Sequence, residues 1–338
     1  QSFAGLLDYL INGSGKGYGS VITGVALFNE PFPIGMCVSL NDYRYALAQL
    51  QGLLSAKGLQ GIKIIVPDTR PFIKINVQNP GADIEPSLLW SLQNADREAD
   101  AYNYHIYYQY GSKAPYIPPT NQITAAISYI KNLIKQTDKD GIVEDLYASE
   151  IGAIDALSGN PDRLDDHEQG LVESQLALKL INADTDKIIW WMFEDAYESM
   201  TGNFVKWGLR KDKLNGFAWR PRFYAASLFM KLVSNDASVL RAQSSDKFID
   251  AATFKDNATG AYTIVVVNTG TAKAAKTIQV SLPEDVLNLQ KYVYDRNAYP
   301  TQNGLSIQPT GTISTLNKIF TDVIPKESMV IYTNYVPQ

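Results

Sequence analysis

The sequence predicts an α/β region built on a parallel sheet, followed by an all-β region. Between residues 21 and 233, short apolar segments alternate five times with amphipathic helical segments, a pattern typical of parallel strands joined by right-handed crossovers. After residue 239 only strand-like segments occur, and turn signals separate them at the short spacing of an antiparallel sandwich. Hydrophobic residues make up 45% of the 338 and charged residues 19%, which is the composition of a globular chain with a core.

The elements follow from the spacing of apolar residues. Residues 3–11 end an amphipathic helix, which the Gly/Ser-rich residues 13–20 interrupt. Strands are predicted over 21–28, 62–66, 101–108, 146–148 and 187–193. Helices are predicted over 41–57, 84–96, 121–136, 166–182 and 219–233. Helical spacing is clearest for the apolar sets Tyr43, Leu47, Leu50, Leu54 and Ile123, Ile127, Ile130, Ile134. The later strands are predicted over 248–254, 261–268, 277–282, 291–295, 319–323 and 329–334.

A domain boundary is predicted in the polar run 234–238, which gives domains over 1–235 and 236–338. Five strand–helix units fit a doubly wound sheet. An eightfold barrel needs three more units upstream of residue 21. The periodicity alone leaves both architectures open.

Composition excludes several functional classes. A net charge of −5 does not favour nucleic acid as a partner, and no apolar run reaches the ~18 residues of a membrane span. One cysteine and two histidines argue against disulfides, cysteine-rich metal sites and polyhistidine zinc sites. The Asp-Lys-Asp-Gly run at 138–141 resembles part of a calcium loop but lacks the terminal glutamate, so it is interpreted as a polar turn. No metal or cofactor is expected.

Polar and aromatic side chains follow the predicted strands at their carboxyl ends, where α/β folds carry their chemistry. Glycoside hydrolysis needs two carboxyl groups, one to protonate the leaving oxygen and one to attack or stabilise the anomeric carbon. Aromatic rings cover the apolar face of a sugar, and an amide binds its hydroxyls. The strand-end residues are Asn29, Glu30, His105, Tyr107, Glu150, Trp190 and Trp191.

Each of these residues also has a structural explanation. A glutamate after a strand is usually a solvated loop residue, a tandem tryptophan usually belongs to a core, and a histidine on an apolar strand is usually buried with its hydrogen bonds satisfied. Their joint occurrence at successive strand ends favours the functional interpretation.

The same residues resemble the motifs of clan A glycoside hydrolases, and of family 5 in particular. Residues 25–31 (Val-Ala-Leu-Phe-Asn-Glu-Pro) resemble the fourth-strand motif, and residues 147–152 (Tyr-Ala-Ser-Glu-Ile-Gly) resemble the seventh-strand motif. His105, Ile106 and Tyr107 are similar to the sixth-strand His-x-Tyr. The runs 191–195, 207–210 and 220–225 are similar to the eighth strand, its loop and the last helix.

The resemblance implies a TIM (β/α)8-type barrel, of which this chain carries strands 4–8, followed by an all-β sandwich. Glu30 would then be the general acid/base and Glu150 the nucleophile of a retaining double displacement. Asn29, His105, Tyr107 and Trp191 would bind substrate, with Tyr107 also holding the carboxylate of Glu150. An N-terminal barrel segment, on the same or a separate chain, is expected to supply the first three strands.

The expected function is therefore an endo-acting hydrolase of a β-linked polysaccharide or oligosaccharide, secreted or extracellular, with a carbohydrate as its partner. Exo-acting relatives share the same carboxylates. The alternative from another class is a non-catalytic carbohydrate-binding or extracellular matrix protein on a degenerate glycosidase fold.

Overall fold

The computed structural model describes residues 2–13, 22–29, 38–69, 86–110, 115–116, 120–153, 167–198, 203–205, 207–246, 248–269, 275–300 and 305–337. The helices are α1 (Ser2–Asp8), α2 (Leu40–Ala56), α3 (Pro86–Asn94), α4 (Thr120–Thr137), α5 (His167–Asn182) and α6 (Pro221–Leu232). The first strands are β1 (Gly24–Ala26), β2 (Lys63–Thr69), β3 (Ala101–Tyr110), β4 (Pro115–Tyr116), β5 (Asp145–Ala153), β6 (Lys187–Trp190), β7 (Ala196–Glu198) and β8 (Asn203–Val205). The later strands are β9 (Ala237–Leu240), β10 (Ile249–Asp256), β11 (Tyr262–Asn268), β12 (Lys276–Ser281), β13 (Leu289–Tyr294), β14 (Pro309–Ile313), β15 (Ile319–Ile324) and β16 (Ser328–Thr333).

The chain divides into two compact units. The first, which we name the sheet unit, comprises Gln1–Ile106, Pro118–Glu150 and Asp184–Ile189. The second, the sandwich unit, comprises Tyr107–Ile117, Ile151–Ala183 and Trp190–Gln338. The domain boundary predicted at 234–238 stays a prediction.

Helices α2 and α4 form as their apolar spacing predicts. Ser39 caps α2, because its hydroxyl oxygen accepts a hydrogen bond from the backbone N–H of Asp42 at 3.1 Å. All eight apolar residues that define the two helical stripes are buried. Burying such a stripe supplies most of a helix's stability in a protein.

The predicted succession of five parallel strands is confirmed. The order in the sheet is β1-β2-β3-β5-β6, and together the five form a parallel-strand half-barrel. Strands β1 and β2 pair in parallel, as do β2 and β3, with a register irregularity between Val66 and Thr69. Because the carboxyl ends of parallel strands share one edge, residues at the ends of these strands lie along that edge.

The C-terminal region is antiparallel, as predicted, and β11 is its central strand. The larger sheet has the order β14-β13-β16-β11-β10-β9, and β12 pairs with β15. Successive residues of β11 face opposite ways: Val265 belongs to the core that includes Leu228 of α6, whereas Ile264 belongs to the core that includes Phe320 of β15. The sheet is therefore covered on one side by α5 and α6 and on the other by the β12–β15 pair.

Two strands of this sheet were not predicted. Strand β9 begins at Ala237, within the run interpreted as a linker, and β14 lies between two predicted strands. Both are edge strands, and neither has a fully buried residue. An edge strand exposed in this way lacks the apolar alternation that identifies a strand in a sequence. Among the helices of the described residues, none combines the length and the apolar character needed to cross a bilayer.

Candidate active site

Glu150 lies near the carboxyl end of β5, within the sheet unit. Strand β5 has a neighbouring strand on each side, β3 and β6, which makes it an inner strand of the sheet. The side chains of Leu146 and Ala148 are fully buried, and Glu150 is only 7% exposed. A carboxylate so far removed from water needs polar partners inside the protein.

The partner of Glu150 is His105 of β3. The imidazole of His105 is completely buried, and its Nδ1 lies 3.3 Å from Oε2 of Glu150. The other ring nitrogen, Nε2, lies 2.9 Å from Oδ1 of Asp68. Protonated imidazole donates from both nitrogens, so His105 in that form bridges the two carboxylates.

Asp68 lies within the register irregularity of β2, between Val66 and Thr69, and adopts a backbone φ of 56°. Its Oδ1 accepts hydrogen bonds from Nδ2 of Asn103 at 2.7 Å and from Oγ of Ser149 at 3.0 Å, in addition to its contact with His105. Its backbone N–H donates to Oδ1 of Asn103 at 2.6 Å. Asp68 is therefore fixed by three side chains, and it in turn fixes the imidazole that contacts Glu150.

This arrangement can present an oriented carboxylate. A chain of contacts from Asp68 through His105 to Glu150 limits the rotation of each side chain. A carboxylate held in this way can act as a nucleophile or stabilise a developing positive charge. Among the described residues around Glu150, no three metal-ligating groups lie close enough to share an ion.

Two aromatic residues, Tyr107 and Trp191, both lie close to Gly152 in the sandwich unit. A Cβ at Gly152 would lie 3.1 Å from the backbone oxygen of Trp191 and 3.3 Å from the ring of Tyr107. The backbone N–H of Trp191 donates to the carbonyl of Ile151 at 2.9 Å. Glycine at position 152 therefore allows a close approach that a side chain would hinder. Both aromatic side chains are partly exposed.

The acid that follows Trp191 by four residues is structural. Asp195 and Arg220 form a buried pair, with Arg220 Nη1 2.7 Å from Oδ1 and Nη2 2.9 Å from Oδ2. The backbone N–H of Gly208 donates to Asp195 at 2.8 Å, and Nη1 of Arg220 also donates to the Gly208 carbonyl at 2.8 Å. This pair connects three runs of the sequence, 191–195, 207–210 and 220–225.

The structure resembles solved glycoside hydrolases. No protein-family model matches the chain, and no curated protein matches it by sequence. A family 30 endoxylanase from Clostridium papyrosolvens C71 matches with a TM-score of 0.61 and 14% identity, over 98% of this chain and 70% of that one. A family 51 α-L-arabinofuranosidase from Thermotoga petrophila RKU-1 matches with a TM-score of 0.64 and 15% identity, over 98% of this chain and 72% of that one.

A Paenibacillus polymyxa xyloglucanase of family 44 gives a TM-score of 0.61 and 13% identity, over 98% of this chain and 69% of that one. The fold is that of the clan A glycoside hydrolases. At these identities the similarity establishes the architecture, a partial barrel with a β-sandwich.

The structure brings together some of the residues predicted from the clan A motifs. His105 and Glu150 are in contact, and Tyr107 and Trp191 both adjoin Gly152. Asn29 is exposed, three residues beyond the end of β1. Glu30 lies outside the described residues. Its role as the acid/base stays a prediction, as do the predicted roles of the other site residues.

Sequence reasoning missed Asp68, Asn103 and Ser149. The signal for Asp68 was present, since it is an acid two residues after the predicted strand 62–66 and so satisfies the same strand-end rule that selected Glu150. Asn103 lies two residues before His105, on the same face of β3. Ser149 had no comparable signal, because a serine beside a glutamate is common in any loop or strand.

Proposed function

We propose that the protein is a retaining glycoside hydrolase with Glu150 as its nucleophile and Glu30 as its general acid/base. The observation that carries the proposal is the carboxylate of Glu150, which is buried at the carboxyl end of β5 and held by His105. A merely structural glutamate at this edge would be solvated or would pair with a surface lysine or arginine.

The mechanism is a double displacement. The Glu150 carboxylate attacks the anomeric carbon and forms a glycosyl ester, while the carboxyl group of Glu30 gives its proton to the departing glycosidic oxygen. Glu30, now ionised, removes a proton from a water molecule, which attacks the same carbon and releases Glu150. His105 and Asp68 act as positioning residues, because their contacts keep the Glu150 oxygen in one orientation.

Sheet order makes this pairing feasible. Strands β1 and β5 are three places apart in the sheet, which is roughly 14 Å along a flat sheet. The curvature of a half-barrel shortens that distance. A retaining mechanism requires the two carboxyl groups to approach to about 5–5.5 Å.

The remaining predicted residues suit sugar binding. We propose that the exposed amide of Asn29 donates to the hydroxyl beside the anomeric carbon and that the ring of Trp191 supports the sugar face. Tyr107 would donate its hydroxyl to the Glu150 carboxylate, and His105 would line the same subsite.

We further propose an endo-acting enzyme for a β-linked polysaccharide. The similar structures named above include an endoxylanase and a xyloglucanase. A family 5-like specificity rests on the sequence motifs alone. A polymeric substrate too large to cross a membrane requires a secreted enzyme.

The test compares Glu150→Gln with Glu168→Gln, an exposed glutamate of α5 that pairs with Arg296. We expect Glu150→Gln to lower turnover of xylan, xyloglucan or mixed-linkage β-glucan by roughly 10⁴-fold, because the nucleophile is lost. Glu168→Gln should retain wild-type turnover. Azide added to Glu150→Ala should restore cleavage of an aryl glycoside and yield a glycosyl azide of inverted configuration.

The alternative function gives a different result. A non-catalytic carbohydrate-binding protein would bind these polysaccharides in affinity electrophoresis without releasing reducing ends, and Glu150→Gln would leave that binding unchanged. Wild-type turnover in Glu150→Gln would contradict the assignment of the nucleophile.

A further inference from the structure

A group of three carboxylates, two of them buried, lies at the opposite end of the strands, also within the sheet unit. Carboxylate oxygens of Asp96, Asp140 and Glu144 lie within 4.8 Å of one another. Asp96 precedes β3, Asp140 lies in the turn after α4, and Glu144 directly precedes β5. Two chain segments that enter the sheet at its amino-terminal edge, the one before β3 and the one between α4 and β5, therefore bring negative charges to one place.

Two of these carboxylates, Asp96 and Glu144, are buried and incompletely hydrogen-bonded. Asp96 is 1% exposed and Glu144 is 5% exposed. Oδ2 of Asp96 accepts the backbone N–H of Lys139 at 2.9 Å. Within the described residues, Oδ1 of Asp96 and both carboxylate oxygens of Glu144 have no hydrogen-bond partner. Buried acceptors without a donor or a cation are costly, so this group requires one.

An independent observation comes from Tyr102 of β3. Its side chain is fully buried, and within the described residues its hydroxyl has no hydrogen-bond partner. The charges of Glu144, Asp96, Asp140 and Glu98 all act on this hydroxyl. The Tyr102 hydroxyl is therefore a further buried oxygen without a described partner that feels the charges of these acids, and oxygen is the ligand that a hard cation prefers.

The nearest described basic side chains are engaged elsewhere. Nζ of Lys139 donates to the carbonyl of Gln93 at 2.8 Å. Nε of Arg44 lies 3.3 Å from Oε1 of Glu98, whereas Oε2 of Glu98 has no partner among the described residues.

We propose that Asp96, Asp140 and Glu144, with the Tyr102 hydroxyl beside them, form a calcium site. Ca²⁺ binds carboxylate and other oxygens at 2.3–2.6 Å in flexible geometry, so two oxygens on opposite sides of the ion are about 5 Å apart. The observed grouping within 4.8 Å fits that span without rearrangement of the backbone.

The site has a structural role. Glu144 and Glu150 are six residues apart on an extended strand, a distance of roughly 20 Å. An ion at Glu144 is therefore too far from Glu150 to take part in the reaction. The ion would link the segment before β3 to the connection between α4 and β5, and this link would stabilise the amino-terminal edge of the sheet.

The test is the thermal unfolding of the full chain after EGTA treatment and dialysis, with CaCl₂, MgCl₂ or neither. We expect calcium at a hundredfold excess over its dissociation constant to raise the melting temperature by about 5 °C. Glu144→Gln and Asp96→Asn should weaken calcium binding in calorimetry by roughly 100-fold. Asp8→Asn removes the same charge from a partly exposed acid paired with Lys57 and should respond as the wild type does.

A crossover makes the test specific. In EGTA, Glu144→Gln should melt above the wild type, because it removes a buried charge, and with calcium the order should reverse. If Glu144→Gln does not fold, the exposed Asp140→Asn should lose the calcium response instead.

Three results would overturn the proposal. If neither calcium nor magnesium changes the melting temperature of the wild type, Asp96 and Glu144 share a proton and bind no ion. An equal response to magnesium would contradict calcium as the ion. An unchanged calcium response in Glu144→Gln and Asp140→Asn would mean that the ion binds elsewhere.

Discussion

The two glutamates associated with β5 are both buried, and they differ in what faces them. Glu150, near the carboxyl end of the strand, contacts the imidazole of His105, which Asp68 holds from the other side. Glu144, at the amino end, faces Asp96 and Asp140 and has no hydrogen-bond partner among the described residues. Burial alone therefore does not identify a catalytic carboxylate. The groups that face each carboxylate are what separates Glu150, the proposed nucleophile, from Glu144, the proposed cation ligand.

The largest effect on stability should come from removing the imidazole that lies between Asp68 and Glu150. His105→Ala leaves these two carboxylates without their common partner, and we expect it to lower the free energy of unfolding by about 3–5 kcal/mol. Urea denaturation measures the change.

The double variant His105→Ala/Glu150→Gln should recover part of that loss, because one of the two charges is gone. If the single and double variants are equally unstable, His105 contributes packing and does not neutralise Glu150.

Glu144, at the amino end of β5, should make the stability of the protein fall as the pH rises. A carboxylate whose pKa is lowered by folding has the opposite effect. Burial, together with the charges of Asp96 and Asp140, raises the pKa of Glu144 from 4.5 to about 7. Between these values the native state holds a proton that the unfolded chain has lost, so stability falls as the pH rises. In EGTA we expect a loss of up to about 3 kcal/mol across this window.

Glu144→Gln should flatten that part of the stability profile, and Asp8→Asn should leave it in place. A wild-type slope in Glu144→Gln would show that other groups control stability in this pH range.

A smaller effect tests the positioning role of Asp68. Asp68→Asn keeps the size of the side chain but loses the charge that faces Nε2 of His105. We expect kcat to fall about tenfold with little change in KM, because a partner that orients a catalytic group from outside the substrate site acts on the chemical step.

Asp100→Asn is the matched control. Asp100 accepts a hydrogen bond from the backbone N–H of Ile64 at 2.7 Å, and this contact does not involve His105. A change in KM alone for Asp68→Asn would place Asp68 in substrate binding instead.

The smallest effect should come from the residue beside Glu144. Asp145 is partly exposed and pairs with Nζ of Lys63 at 2.7 Å. Asp145→Asn should change the free energy of unfolding by less than about 1 kcal/mol, since solvent screens exposed pairs. If Asp145→Asn lowers the free energy of unfolding as much as His105→Ala does, exposure does not determine how much Asp145 and Glu144 each contribute to stability.

Much of the fold could be predicted because its helices and inner strands repeat a clear apolar pattern. The four apolar residues that define α2 and the four that define α4 are all buried. Strands β9 and β14 could not be predicted in this way, because edge strands of this sheet expose most of their side chains. Whether a strand lies at the edge or inside a sheet decided whether it showed an apolar pattern, and the sequence does not state that position.

The candidate site was predictable at Glu150 and His105, whose strands end with recognisable motifs. Asp68 satisfied the same rule and was missed. The acidic group at the other end was not predictable, because Asp96, Asp140 and Glu144 are separated by up to 48 positions and meet only through the pairing of the sheet. The run 138–141 does form a polar turn, in which Oδ1 of Asp138 accepts the backbone N–H groups of Asp140 and Gly141.

The central claim, that Glu150 is the nucleophile, is tested most directly by trapping the glycosyl-enzyme. The protein is incubated with 2,4-dinitrophenyl 2-deoxy-2-fluoro-β-xylobioside or the corresponding β-cellobioside, digested and mapped by mass spectrometry. We expect one added fluoro-disaccharide, which fragmentation of the labelled peptide assigns to Glu150 and not to Glu144. A label on a different carboxylate, or substrate turnover with inversion at the anomeric carbon, would contradict it.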